Sequence, residues 1–343
     1  VVGQASLVGS GSVSGDRNTA LVNQDGNGNF AEMSQFGIGN VAESDQDGNR
    51  NSFSSAQDGN RNDILDFDQI GNDNDAVLTQ VGNRNTIEIA EQNGNRNSMT
   101  IDQVGNDNLG GVAMMGGSDA LDQKGNRNEA TILQDGNRNT ALMEQEGNDN
   151  SALLQQRGNR NLTEFNQLGN GNRAIERMTN GNDNDVLVNQ TGNRNYAAYE
   201  VWGNGNDVDI DQVGNDNDVF FNARGTGSGL PSPPGGSVNR NIVDFNQDGN
   251  RNLLTGALDG SRNEITTTQT GNDNFIGTSR FSADGMFVVG NANMIDVDQI
   301  ANGNSAFVDV DGNNNMVDIN QLSNGNVATV SQSGNGNSST VNQ

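Results

Sequence analysis

The 343-residue chain is 31% hydrophobic and only 4% aromatic, and it carries a net charge of −26 with neither cysteine nor histidine. Disulfide scaffolds, Cys/His zinc centres and catalysis through His or Cys are thereby excluded, and no cofactor is expected. Strong acidity argues against a nucleic-acid partner, because phosphate binding needs clustered Lys and Arg.

Residues 1–14 are rich in Gly, Ser and Val, as expected of a leader or an irregular first strand. No apolar leader is visible at Val1, which suits a processed chain whose targeting signal has been removed. No later stretch approaches the roughly 18 apolar residues of a membrane span. From residue 15 to 343 one repeat dominates, and a single solenoid domain is expected. The hexad Q-x-G-N-x-N begins at Gln24, Gln46, Gln57, Gln69, Gln80, Gln92 and Gln103, and again from Gln123 onward. Looser copies fill most of the gaps, and Gln343 occupies the glutamine slot once more.

The repeat is strictest where Gln134, Gln145, Gln156 and Gln167 follow one another at intervals of 11 residues. Gly136, Gly147 and Gly158 stand third in their units, and Asn139, Asn150 and Asn161 sixth. Gly accepts positive φ and Asn tolerates the left-handed region, so G-N-x-N predicts a tight turn. The other residues alternate: Asn139, Ala141, Met143 and Gln145 share one parity, Thr140, Leu142 and Glu144 the other. Period two is a strand, and the parity that ends on Gln is the expected inner face. A short strand plus a turn cannot fold alone, so the units must stack, and the chain is expected to be disordered before it does so.

Three places break the rhythm. Residues 109–122 hold a degenerate turn near Met114–Gly117 and count as one further unit. Residues 223–238 contain all three prolines and are expected as a loop added at a turn, and residues 275–289 are irregular, with Phe281 and Phe287.

The pattern N-x-A-x-φ-x-Q-x-G-x-x-N resembles the curlin repeat of curli subunits, the bacterial extracellular amyloid fibre proteins. Gln145, Gly147, Asn150, Ala152 and Gln156 stand at the positions that define that repeat. This chain departs from it in its larger number of repeats, in the Asn that follows the turn glycine, and in its three insertions. The resemblance implies a secreted, all-β, curli-like β-solenoid that is exported unfolded and assembles outside the cell. It also implies an export pore and a nucleator or surface anchor as partners, besides copies of the chain itself.

The residue between the two turn asparagines decides between two coil geometries. It runs Arg50, Arg61, Asp73, Arg84, Arg96, Asp107, and later Arg127, Arg138, Asp149. A three-sided coil of about 33 residues would stack Arg on Arg at about 4.8 Å. A two-sided coil of about 22 residues, with two parallel sheets and about 15 coils, interleaves the charges instead. Counting the degenerate unit, Arg84, Asp107, Arg127 and Asp149 should form one column, and Arg50, Asp73 and Arg96 the other.

The function that follows is a structural subunit joining head-to-tail into an extracellular filament for a biofilm matrix or surface adhesion, and not an enzyme. The alternatives are a monomeric solenoid adhesin or a calcium-binding repeat protein. Calcium loops need several converging oxygen ligands, whereas most of these turns place Arg at that point.

Overall fold

The structure, a computed structural model, describes residues 13–111, 121–223, 238–277 and 286–343. The described residues form strands and turns without a helix. The chain divides into two compact units, Val1–Gly171 and Asn172–Gln343.

In the first unit, odd- and even-numbered repeats go to opposite sheets. One sheet stacks Val13–Ser14, Phe30–Ile38, Ser52–Asn60, Asp75–Asn83, Ser98–Asn106, Glu129–Asn137 and Ser151–Asn159, all parallel. The other begins with Thr19–Asn27, Val41–Asn49, Asp63–Asn72 and Thr86–Asn95, and ends with Thr140–Asn148 and Leu162–Asn170. The register is in phase with the repeat: Glu129 lies beside Ser151, Gln134 beside Gln156 and Gly136 beside Gly158. Two repeats therefore make one coil of about 22 residues, the two-sided geometry. The second unit repeats the plan, from Arg173–Asn182 and Asp185–Asn193 to Val327–Ser333 and Ser338–Asn342.

Alternation decides which side chains the sheets enclose. Asn139, Ala141, Met143 and Gln145 are all buried; of the other parity Thr140 and Glu144 are partly exposed, whereas Leu142, expected with them, is buried. In the first unit the rings of Phe53 and Phe67, from opposite sheets, pack with centroids 4.9 Å apart; Phe221 and Phe245 do the same at 5.0 Å in the second. The space between the sheets is thus narrow, and small apolar residues with Gln and Asn fill it. Low hydrophobicity is accommodated because every interior position is shared by two sheets.

The first break in the rhythm departs from the expected count. Leu109–Gly110 and Leu121–Asn126 are two halves of one strand, both lying between Thr86–Asn95 and Thr140–Asn148. Gly110 stands opposite Ala141, the N–H of Gly111 bonds Ala141, and Leu121 stands opposite Met143. The chain therefore contains no extra unit here; one ordinary unit, Asn108 to Gln123, is interrupted after Gly111. The expected turn at Met114–Gly117 lies outside the described residues. Phe275–Ile276 and Met286–Val289 are likewise two halves of one strand, interrupted after Gly277, with Phe281 outside the description. The expected loop with the prolines lies outside the described residues: one strand ends at Ala223, the next begins at Ile242, and between them the Val238 carbonyl takes the place of a turn glycine's beside Gly203.

Candidate functional site: the axial ladders and turn columns

Three ladders run along the stacking direction in each unit, built from the glutamine and the two asparagine slots of the hexad. The innermost is glutamine. Gln134 Nε2 donates to Gln156 Oε1 at 3.0 Å and to the Leu109 carbonyl at 3.1 Å; Gln145 donates to Gln167 at 2.8 Å and to the Glu129 carbonyl at 3.0 Å. Each buried amide thus joins its own column to the backbone of the facing sheet. Gln156 also donates to the Thr163 hydroxyl at 3.0 Å, where Thr replaces the usual apolar residue.

The second ladder is the sixth-position asparagine. Asn150 donates Nδ2 to the Gly169 carbonyl at 2.9 Å, and its own N–H is held by Asn128 Oδ1 at 3.0 Å. Asn139 makes the equivalent contacts to Asn108 and the Gly158 carbonyl. The fourth-position asparagines form an exposed ladder at the rim, as where Asn148 donates to Asn170 at 2.9 Å.

The turn conformation differs from the expectation in one respect. The residue in the left-handed region is neither asparagine but the one between them: Arg50, Arg138 and Asp149 have φ of 56°, 58° and 59°. An L-residue there costs about 1–2 kcal/mol relative to glycine. Hydrogen bonds from both neighbouring asparagines hold the turn, and the side chain is thrown outward. Glycine is required two residues earlier. At Gly147 φ is 122°, and an added Cβ would stand 1.8 Å from the Gly169 carbonyl oxygen of the next coil.

Outward projection creates the charge columns. Arg50 grips Asp73, Arg84 grips Asp107 and Arg127 grips Asp149, each by two hydrogen bonds of 2.5–2.8 Å; in the second unit Arg194 and Asp216, and Arg251 and Asp273, do the same. The Arg50 hydrogen bond holds the Asp73 carboxyl below its ordinary range, and Arg96 on the far side adds to it. Arg84, with Arg138 beyond, does this for Asp107. Because residues 109–122 add no turn, Arg127 stacks on Arg96 and not on Asp107. The columns read Arg61, Arg84, Asp107, Arg138, Arg160 on one edge and Arg50, Asp73, Arg96, Arg127, Asp149 on the other. The expected run from Asp107 to Arg127 is corrected accordingly.

One cluster was not anticipated from the sequence. On the outer face of one sheet in the second unit, Asp207, Asp209 and Asp211 alternate along one strand, Asp185 flanks Asp207, and Asp244 flanks Asp209. Burial, then the charges of Asp211, Asp244, Asp207 and Asp185, push Asp209 up to about 6. The signal was present as D-x-D-x-D, but the 35-residue step from Asp209 to Asp244 across the proline-containing insertion concealed the pairing. Among the described residues no group of three or more acids is arranged to hold a metal ion, and no helix is long and apolar enough to cross a membrane.

Parallel two-sheet coils held by amide ladders define a β-solenoid repeat protein. The curlin associated repeat matches six segments, residues 14–37, 120–147, 147–175, 181–214, 290–322 and 312–343, and the chain is a curlin-repeat protein. No curated protein and no solved structure matches it.

Proposed function

We propose that this chain is a secreted structural subunit that self-assembles head-to-tail into a curli-like, amyloid-like filament outside the cell, in a biofilm matrix or adhesive surface layer. The observation that carries the proposal is the direction of the ladders. Glutamine and asparagine amides bond along the stacking axis in every coil, so each coil presents the next with a template of identical spacing. An edge of unpaired strand groups invites another strand, and here the side chains extend the invitation. The family likeness further supports an export pore and a nucleator or surface anchor as partners. The chemistry on the surface is that of a scaffold: paired charges, small polar turns and no converging catalytic groups among the described residues.

The test is assembly of purified chain. Fibre diffraction should give a reflection at about 4.7–4.8 Å along the fibre axis. A chain that stays monomeric and folded at high concentration, with no fibre under any seeding condition, would sink the proposal.

A further inference from the structure

We infer that the turns in which glycine follows the fourth-position asparagine are modification sites: in the unstacked chain they deamidate, and stacking shuts the reaction off. The inference concerns the coils of a single chain and stands whether or not copies join.

The sequence sets these turns apart. Between the two turn asparagines most units carry Arg or Asp, but glycine follows Asn27, Asn170, Asn204, Asn302, Asn324 and Asn335. The fold does not impose glycine there. Gly205, Gly303, Gly325 and Gly336 have φ of 66°, 68°, 75° and 70°, close to the 58° and 59° that Arg138 and Asp149 adopt in the same slot. An added Cβ would meet nothing within 4 Å at Gly303, Gly325 or Gly336, and only the Arg240 Cγ, at 3.6 Å, at Gly205. What glycine does supply is an unhindered backbone nitrogen next to an asparagine amide.

That nitrogen is the nucleophile of deamidation. Once deprotonated, it attacks the asparagine Cγ; the new N–Cγ bond closes a succinimide ring, and the Cγ–Nδ2 bond breaks with loss of ammonia. Water then opens the ring at either carbonyl and leaves aspartate or isoaspartate. A side chain on the following residue crowds the nitrogen, so Asn–Arg and Asn–Asp turns react more slowly.

In the stack both reacting groups are held. The Gly205 N–H donates to the Asn182 carbonyl at 3.0 Å, the Gly303 N–H to the Asn272 carbonyl at 2.9 Å and the Gly325 N–H to the Asn302 carbonyl at 3.0 Å. Asn204 Oδ1 accepts the Asn182 N–H at 2.9 Å and its Nδ2 at 3.0 Å, and Asn302 Oδ1 accepts the same two groups of Asn272 at 2.8 and 3.0 Å. Nitrogen and Cγ are thus tied separately to the preceding coil, and ring closure must wait until both ties open. Asn204, Asn302, Asn324 and Asn335 are exposed, so these bonds and not the exclusion of water give the protection.

The product fits the stack badly. A deamidated Asn204 loses the Nδ2 that donates to Asn239 Oδ1 at 3.2 Å and sets a carboxylate beside that oxygen. Isoaspartate adds a backbone atom, which moves the following strand out of register. Chain that waits unstacked therefore loses its competence to fold, and chain that stacks keeps it.

The test compares chain aged in denaturant with chain aged folded in the same mildly alkaline buffer, each asparagine being read by peptide mapping and mass spectrometry. In denaturant Asn204 and Asn302 should convert faster than Asn137 and Asn159, which precede arginine. Folded, they should slow about tenfold or more, as in a reaction that waits on local opening. Gly303→Arg should slow conversion at Asn302 in denaturant and leave Asn204 as before. When aged chain is returned to folding conditions, its protease-resistant fraction should be depleted of chain modified at Asn204 or Asn302. Equal conversion in folded and unfolded chain overturns protection by stacking. Conversion at Asn302 that Gly303→Arg leaves unchanged overturns the role of glycine. Modified chain that refolds as completely as fresh chain overturns the consequence for stacking, and none of these results touches the filament reading.

Discussion

At the scale of single residues, the turn separates two kinds of glycine that the sequence writes alike. Gly147 has φ of 122° and faces the next coil's carbonyl, so Gly147→Ala meets both a forbidden backbone and a backbone clash. Gly28 has φ of 69°, and the nearest atom to an added Cβ is the Arg50 Cγ at 3.6 Å. We expect Gly147→Ala to cost about 3 kcal/mol or more and Gly28→Ala about 1–2 kcal/mol. Urea unfolding of both variants checks this, and equal losses would show that the stacked carbonyl is not what excludes a side chain. The charge columns give a second contrast. Asp107→Arg would leave five arginines in succession from Arg61 to Arg160. Its penalty should be large at about 20 mM salt and mostly gone at about 500 mM, because exposed charges are screened over a few ångströms there. A penalty indifferent to salt would point to lost hydrogen bonding alone.

At the scale of elements, strands carry two opposing pH dependences. Asp73, Asp107, Asp149 and Asp216 are held below their ordinary value by hydrogen bonds from Arg50, Arg84, Arg127 and Arg194. A depressed carboxyl contributes stability that is present above its unfolded value and lost as pH falls through the folded one. Asp209 is the reverse. Its folded value, about 6, lies above the ordinary 3.8 of an exposed carboxyl, so its contribution is full below the latter and lost as pH rises through about 6. Asp244 and Asp218 shift in the same direction, mainly through burial. The second unit should therefore melt at a higher temperature near pH 4.5 than at pH 7.5. Asp209→Asn should narrow that difference; thermal melts in which it does not would locate the dependence elsewhere. The interrupted strand supplies another prediction. Deleting residues 112–120 joins Gly111 to Leu121 and restores the spacing that the flanking strands already show, with one residue between Gly110 and Leu121 as between Ala141 and Met143. The shortened chain should fold and melt within a few degrees of the parent. A collapse of stability would mean that the inserted residues hold the strand together.

At the scale of the whole molecule, a composition of only 31% hydrophobic residues folds because of what stacking supplies. A carboxamide side chain has both donors and acceptors, so a column of them is satisfied only when another coil lies above and below. Gln145 alone in water has no reason to be buried; between Gln123 and Gln167, at 2.9 and 2.8 Å, it does. Net charge opposes bringing copies together, and salt relieves it. Raising ionic strength from about 10 mM to 150 mM shortens the screening length from about 30 to 8 Å, and assembly should accelerate several-fold. Light scattering of freshly diluted chain measures this, and a rate that falls with salt would show attraction between charged faces where copies meet.

The sequence by itself determined the period, the strand parity and the membership of the buried face. Each of these is local: an 11-residue interval, an alternation of two and a glycine in a turn can be read without knowing what lies next to them. Like charges at a spacing of about 4.8 Å repel, yet the two-sided columns still set Arg61 beside Arg84, Arg96 beside Arg127 and Arg138 beside Arg160, so the strand pairing and not the charge order fixes two sides. Nor did the sequence determine which turn lies on which once the rhythm is interrupted. Residues 109–122 can be counted as a unit or as an interruption, and only the pairing of Leu121 with Met143 decides for the latter, moving Arg127 from Asp107 onto Arg96. The carboxylate cluster around Asp209 belongs to the same class. Its members come from three strands, two of them 35 residues apart, and proximity across an insertion is a property of the stacked coils alone.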